Sequence, residues 1–93
     1  MDIFAQLTEK IIKEQENIIG PVAIEQAQKV PGLSVDVIKN TVILTGNKKD
    51  IVQKLIEKYR DLFGMASVEV CRQAAKSLLS QLPIDQVPPL LLS

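Results

Sequence analysis

The sequence predicts a small α+β domain ordered helix, helix, strand, strand, helix, helix, with an extended tail. Two observations carry this. Apolar residues recur at helical spacing on either side of residues 33–45, and within that window they alternate with a period of two. Glycine and proline punctuate the changes of period at Gly20-Pro21, Pro31-Gly32, Gly46, Gly64 and Pro83.

The first helix is expected from Asp2 to about Asn17. Phe4, Leu7, Ile11 and Ile18 form its inward stripe, widened by Ile3 and Ile12. Gly20 closes it and Pro21 suits the start of a second helix reaching Val30, with Ala23, Ala27 and Val30 inward. One kinked helix is the alternative. Pro31-Gly32 then makes a turn.

Leu33, Val35 and Val37, then Val42 and Leu44, alternate with their neighbours as two short strands. With Lys39-Asn40 as a two-residue turn, Ile38 faces Thr41, Val37 faces Val42, Asp36 faces Ile43 and Val35 faces Leu44. The inward residues of both strands then share one face, which a one-residue slip would destroy. Lys39 is a poor residue for the positive φ such a turn needs.

Asn47 is placed to cap a third helix, with Asp50 three residues on. Ile51, Val52, Leu55, Ile56, Tyr59, Leu62 and Phe63 form the most regular stripe in the chain, and Gly64 stops it. Ser67 is expected to cap a final helix carrying Val68, Cys71, Ala75, Leu78, Leu79 and Leu82 inward. Residues 66–70 also alternate and could form a third strand, but the longer helical run outweighs that. Residues 1–82 thus form one domain, and 83–93 an extended tail with polyproline character.

Composition narrows the function. Among 93 residues there are 11 basic and 11 acidic side chains, one Cys and no His. Imidazole chemistry is excluded, as are a disulfide framework and a cysteine-built zinc site. No metal, cofactor or catalytic set is expected. Zero net charge supplies no field for polyphosphates or anionic membranes. Lys48, Lys49, Lys54 and Lys58 share their helix with Asp50, Glu57 and Asp61, a mixed face that does not suit nucleic acid. Aromatic platforms for single strands are missing, since Phe4, Tyr59 and Phe63 are the only aromatics. No apolar run exceeds four residues, where a spanning helix needs about 20. The start of the chain has no signal-peptide pattern, so the cytoplasm is the expected compartment.

Five features remain as candidates. Thr45-Gly46-Asn47-Lys48-Lys49 runs from strand through glycine into a helix N-terminus, so Asn47, Lys48 and Lys49 could contact an anion, although the plain reading is a solvated first turn. Cys71 lies on an apolar stripe and reads as a small hydrophobe rather than a nucleophile. Glu9, Glu14, Glu16 and Glu25 could pair for acid–base work, yet they spread over a polar face beside Lys10, Lys13 and Lys29. The hairpin is more informative. Two strands alone leave both edges open, to be closed by a third strand, by helices or by a second copy. Ile43, flanked on the outer face by Thr41 and Asp36, points to edge pairing in a homodimer. In the tail, Leu90, Leu91 and Leu92 either pack on the domain itself or serve as an extended ligand for a protein partner.

Two stretches carry family resemblances. Residues 33–70, with Val42-Ile43-Leu44-Thr45-Gly46 leading into a helix, resemble the BON domain, which implies lipid or envelope binding. Ile18-Ile19-Gly20-Pro21-Val22-Ala23 and Ala66-Ser67-Val68-Glu69-Val70-Cys71 resemble small uncharacterised proteins of cyanobacterial type, which implies no activity. The overall expectation is a non-catalytic interaction module, homodimeric. The alternative is a small-molecule sensor for an anion or lipid, held between the long third helix and the hairpin by Thr41, Thr45 and Asn47.

Overall fold

Helix α1 (Ile3–Ile19) opens the computed structural model, which describes residues 2–92. Met1 and Ser93, the first and last residues of the expected domain and tail, lie outside them. Asp2 caps α1 by accepting the Phe4 amide at 2.9 Å. Gly20 ends it at φ 71°, and α2 (Val22–Gln28) follows at once. These are two helices, not one bent helix, because Gly20 takes a left-handed conformation that L-residues avoid.

Strands β1 (Leu33–Asp36) and β2 (Thr41–Leu44) pair antiparallel. Helices α3 (Lys48–Phe63) and α4 (Met65–Leu79) complete the body. The element order is the one the sequence predicts. Gly32 threads a narrow passage between the strands and α3. A Cβ added there would stand 2.5 Å from the Thr45 carbonyl and 3.0 Å from Ile51 Cδ1.

The core lies where α1, α3 and α4 meet over the inner face of the hairpin. Leu7, Ile11, Val52, Leu55, Ile56, Tyr59, Val68 and Ala75 are fully enclosed. α1 packs along α4. Gln15, itself buried, donates from Nε2 to the Ser67 carbonyl at 2.9 Å and to Cys71 Sγ at 3.3 Å. Tyr59 crosses the core and donates its hydroxyl to the Ala23 carbonyl at 2.8 Å, tying α3 to α2.

Several local expectations are corrected. Val42 faces Val35 rather than Val37, Leu44 faces Leu33, and Ile43 faces Ser34 rather than Asp36. The turn is Val37-Ile38-Lys39-Asn40, with φ 54° at Asn40. Asp36 stabilises it by accepting the Ile38 and Lys39 amides. Lys39 is thereby spared the positive φ, and Asn40, which tolerates it, takes it instead. The shift is two residues, so the inner face is unchanged. Residues 66–70 are helical. Ser67 does not cap α4, because Gly64 at φ 76° ends α3 and starts α4 directly, leaving Ser67 buried in the first turn. Ile18, Leu62 and Phe63 keep their places on the helical stripes but are exposed. They lie where α1 and α3 finish and α4 begins, so the stripes outrun the core. No helix among the described residues is long and apolar enough to cross a membrane.

The tail is extended backbone interrupted by two 3-10 turns, Ile84–Gln86 and Pro89–Leu91. It folds back onto α3 and α4, with Leu82, Val87 and Leu91 joining the core.

Candidate functional site

The hairpin presents a two-sided structure. Leu33, Val42 and Leu44 point into the core. Ser34, Asp36, Thr41 and Ile43 point outward and are exposed, Ile43 at 67%. Beyond them, Val37 and Ile38 top the turn, and Ile38 is 94% exposed. Three apolar β-branched side chains, Val37, Ile38 and Ile43, thus stand in solvent on one small element.

Its edges are another matter. Thr45 donates to the Gly32 carbonyl, which fixes which amides of β2 face β1. By the alternation of an antiparallel ladder, the Val42 amide faces away from β1. It finds the Glu9 carboxylate of α1 at 3.2 Å. On the other side α2 packs against β1. The edges are therefore flanked by helices, one of the three solutions open to a two-stranded sheet. The Val42 amide, one of the outward donors that edge pairing between copies would use, is thus taken by Glu9, while the same alternation also turns the Leu44 amide outward. Ile43, Thr41 and Asp36 keep an exposed outer face.

Between α1 and the hairpin lies an open groove of about 630 Å³. Ile12, Ile24, Val35 and Val42 give it an apolar lining, and Glu9, Glu14, Glu16 and Asp36 outnumber Lys10 and Lys13 along it. Of the polar residues expected to line a ligand cavity, Thr41 borders this groove while Thr45 and Asn47 do not. The cavity lies against α1 rather than α3.

The anion contact expected at Asn47, Lys48 and Lys49 is not assembled. Asn47 spends its side-chain oxygen on the Asp50 amide at 3.0 Å, as a helix cap. Lys48 Nζ pairs with Asp2 at 2.6 Å, and that ammonium holds the Asp2 carboxyl below its ordinary range. Lys49 Nζ donates to the Asp85 carbonyl at 2.8 Å. Each of these three side chains has a partner within the chain.

Leu91 is buried against the body. Leu90 is half-buried, while Leu92 and Ile84 are exposed. Arg72 of α4 donates from Nε to the Leu90 carbonyl at 3.0 Å and from an Nη to the Leu92 carbonyl at 3.3 Å. Gln53 of α3 accepts the Leu90 amide at 3.0 Å. The sequence reading does not find these anchors. Their one local signal is a polar residue directly following a buried stripe residue, Gln53 after Val52 and Arg72 after Cys71.

Cys71 is enclosed, and burial pushes its thiol up to about 11 against a hydrogen bond from Gln15 that pulls it down. Burial likewise raises the Tyr59 phenol. Both groups are neutral and shielded, the opposite of what a nucleophile requires. No cluster of three or more metal-ligating side chains occurs among the described residues. No family model, curated protein or solved structure matches the chain.

Proposed function

We propose that the chain is a non-catalytic protein–protein interaction module that associates as a homodimer through the outer face of its hairpin. The observation that carries this reading is Ile43 standing in solvent on the outer face, with Val37 and Ile38 exposed at the adjoining turn, on an element whose inner face is already occupied. A contiguous exposed apolar patch marks a contact surface, where singly scattered apolar residues need no explanation. Ser34, Asp36 and Thr41 surround Ile43 with a polar rim, the usual setting of an apolar contact. Two-fold pairing uses one such face twice. Light scattering after size exclusion tests it: the native chain runs as a dimer, and Ile43→Lys shifts it to monomer with unchanged helicity. Leu62→Lys, on the exposed end of α3, leaves the dimer intact. A native monomer at high micromolar concentration refutes the proposal.

A second reading is a sensor of a small apolar molecule, a lipid among them, and the groove between α1 and the hairpin favours it. Its acid-rich border suits an apolar body carrying a cationic or hydrogen-bond-donating group better than an anion. A thermal-shift panel of lipids, amines and nucleotides tests it, since a ligand selective for the folded state raises Tm by mass action. No shift across that panel counts against it.

A further inference from the structure

The tail of this chain is held in an unusual way. Its polar anchors read main chain, not side chain. Arg72 takes two carbonyls, of Leu90 and Leu92; Gln53 takes the Leu90 amide; Lys49 takes the Asp85 carbonyl. Between these anchors Val87, Pro88 and Leu91 fill apolar positions against α3 and α4. Main-chain hydrogen bonds together with pockets for a few side chains are a combination that folded domains also use to bind peptides in trans. Pro83, Pro88 and Pro89 also restrict the tail before it docks, which lowers the entropy lost on binding.

We propose that the face formed by α3 and α4 is a docking groove for the Val-Pro-Pro-Leu-Leu segment in its 3-10-turned form, filled by the chain's own tail and exchangeable with the tail of a second copy. Every anchored residue of the tail lies beyond the link at Ser80–Pro83, where α4 has ended and Pro83 is extended at ψ 146°. A tail that swings out at that link can therefore remake the same bonds, one for one, on another copy. Exchange of one element at such a hinge is a low-cost route to association. The tethered tail has an effective concentration in the millimolar range, so exchange stays rare in dilute solution. This surface is distinct from the hairpin face, and the inference does not depend on pairing there.

Complementation between two full-length chains tests it, with Ile43→Lys in both to remove association through the hairpin. One chain carries Leu91→Asp, which spoils the tail and leaves the groove. The other carries Gln53→Ala and Arg72→Ala, which spoil the groove and leave the tail. Each alone is a folded monomer by circular dichroism and light scattering. Mixed one to one, they form a heterodimer by native mass spectrometry. A mixture that stays monomeric while both chains are folded overturns the proposal. Should Leu91→Asp not fold, the native chain decides. Its leucine methyls are labelled and an unlabelled peptide of residues 83–92 is added to millimolar concentration. The Leu91 methyls move to disordered positions as the peptide displaces the tethered tail. Methyls that hold their native shifts throughout overturn it.

Discussion

The Glu9 carboxylate of α1 accepts the main-chain amide of Val42 at 3.2 Å and so closes the outer edge of β2. A helix side chain thus does for this sheet what a third strand would do for a larger one. The arrangement lets a hairpin of two four-residue strands persist without an edge partner. Replacing Glu9 by Ala leaves that amide to the solvent. The cost expected is about 1 kcal/mol, the net worth of one partly exposed hydrogen bond. Hydrogen exchange reads it locally: the Val42 amide loses protection in the Glu9→Ala chain, while amides in the middle of α3 do not. Unchanged protection at Val42 would show that α1 shields the edge by packing alone.

Tyr59 poses a sharper energetic test. Its hydroxyl is buried and donates to the Ala23 carbonyl at 2.8 Å. Tyr59→Phe keeps the ring and its packing but removes one of two bonds to that carbonyl, which still accepts the Ala27 amide in the α2 ladder. Losing one such bond costs about 0.5–1.5 kcal/mol. Urea unfolding of the Tyr59→Phe chain should show a lower midpoint at an unchanged slope. Equal midpoints would mean that the hydroxyl bond adds nothing to the ladder bond the carbonyl already accepts.

How much of this is legible in the sequence depends on the range of the interaction. Asn47 and Asp50, or Asp2 and Phe4, are caps within one turn, and local spacing finds them. The inner faces of β1 and β2 are legible because period-two alternation survives a two-residue slip in register. The slip itself is not, since it turns on Asp36 folding over the Ile38 and Lys39 amides in a four-residue turn. The tail anchors and the Glu9–Val42 bond join residues at least 18 apart in the chain. No periodicity records such pairs. Ile18 and Leu62 escape for a related reason: a helical stripe says which side faces inward but not where along the axis the core ends.

Gly32 is the one glycine whose missing side chain is required by space as well as by backbone. It sits at φ 84°, and a Cβ would stand 2.5 Å from the Thr45 carbonyl. Thr45 also donates its amide to the Gly32 carbonyl at 2.7 Å, so the two backbones cannot separate without losing that bond. Gly32→Ala therefore combines a left-handed penalty of about 1 kcal/mol with a steric one, for at least about 2 kcal/mol in all. Gly20→Ala is the control. It carries a similar φ of 71°, at ψ −152°, but has nothing within 4 Å, so it should carry only the backbone penalty, about 1–3 kcal/mol, without the steric one. Thermal melts of the two variants should rank in that order, and the reverse ranking would refute the close approach.

Cys71 links the core to pH. Burial is the larger influence and raises the thiol from an ordinary 9.0 to about 11, while the Gln15 hydrogen bond opposes it. The folded chain therefore favours the neutral thiol more than the unfolded chain does. A group raised in this way contributes its full stability below the unfolded value and loses it as pH climbs through the folded one. Stability should accordingly fall between about pH 9 and pH 11, and Cys71→Ala should flatten that part of the profile. The same burial governs reactivity. At neutral pH a thiol reagent should modify Cys71 only as fast as the chain opens, so added urea accelerates labelling in step with unfolding. Labelling that is fast in the native chain and indifferent to urea would mean that the helix pair α1–α4 parts locally, and that Gln15 does not hold it shut.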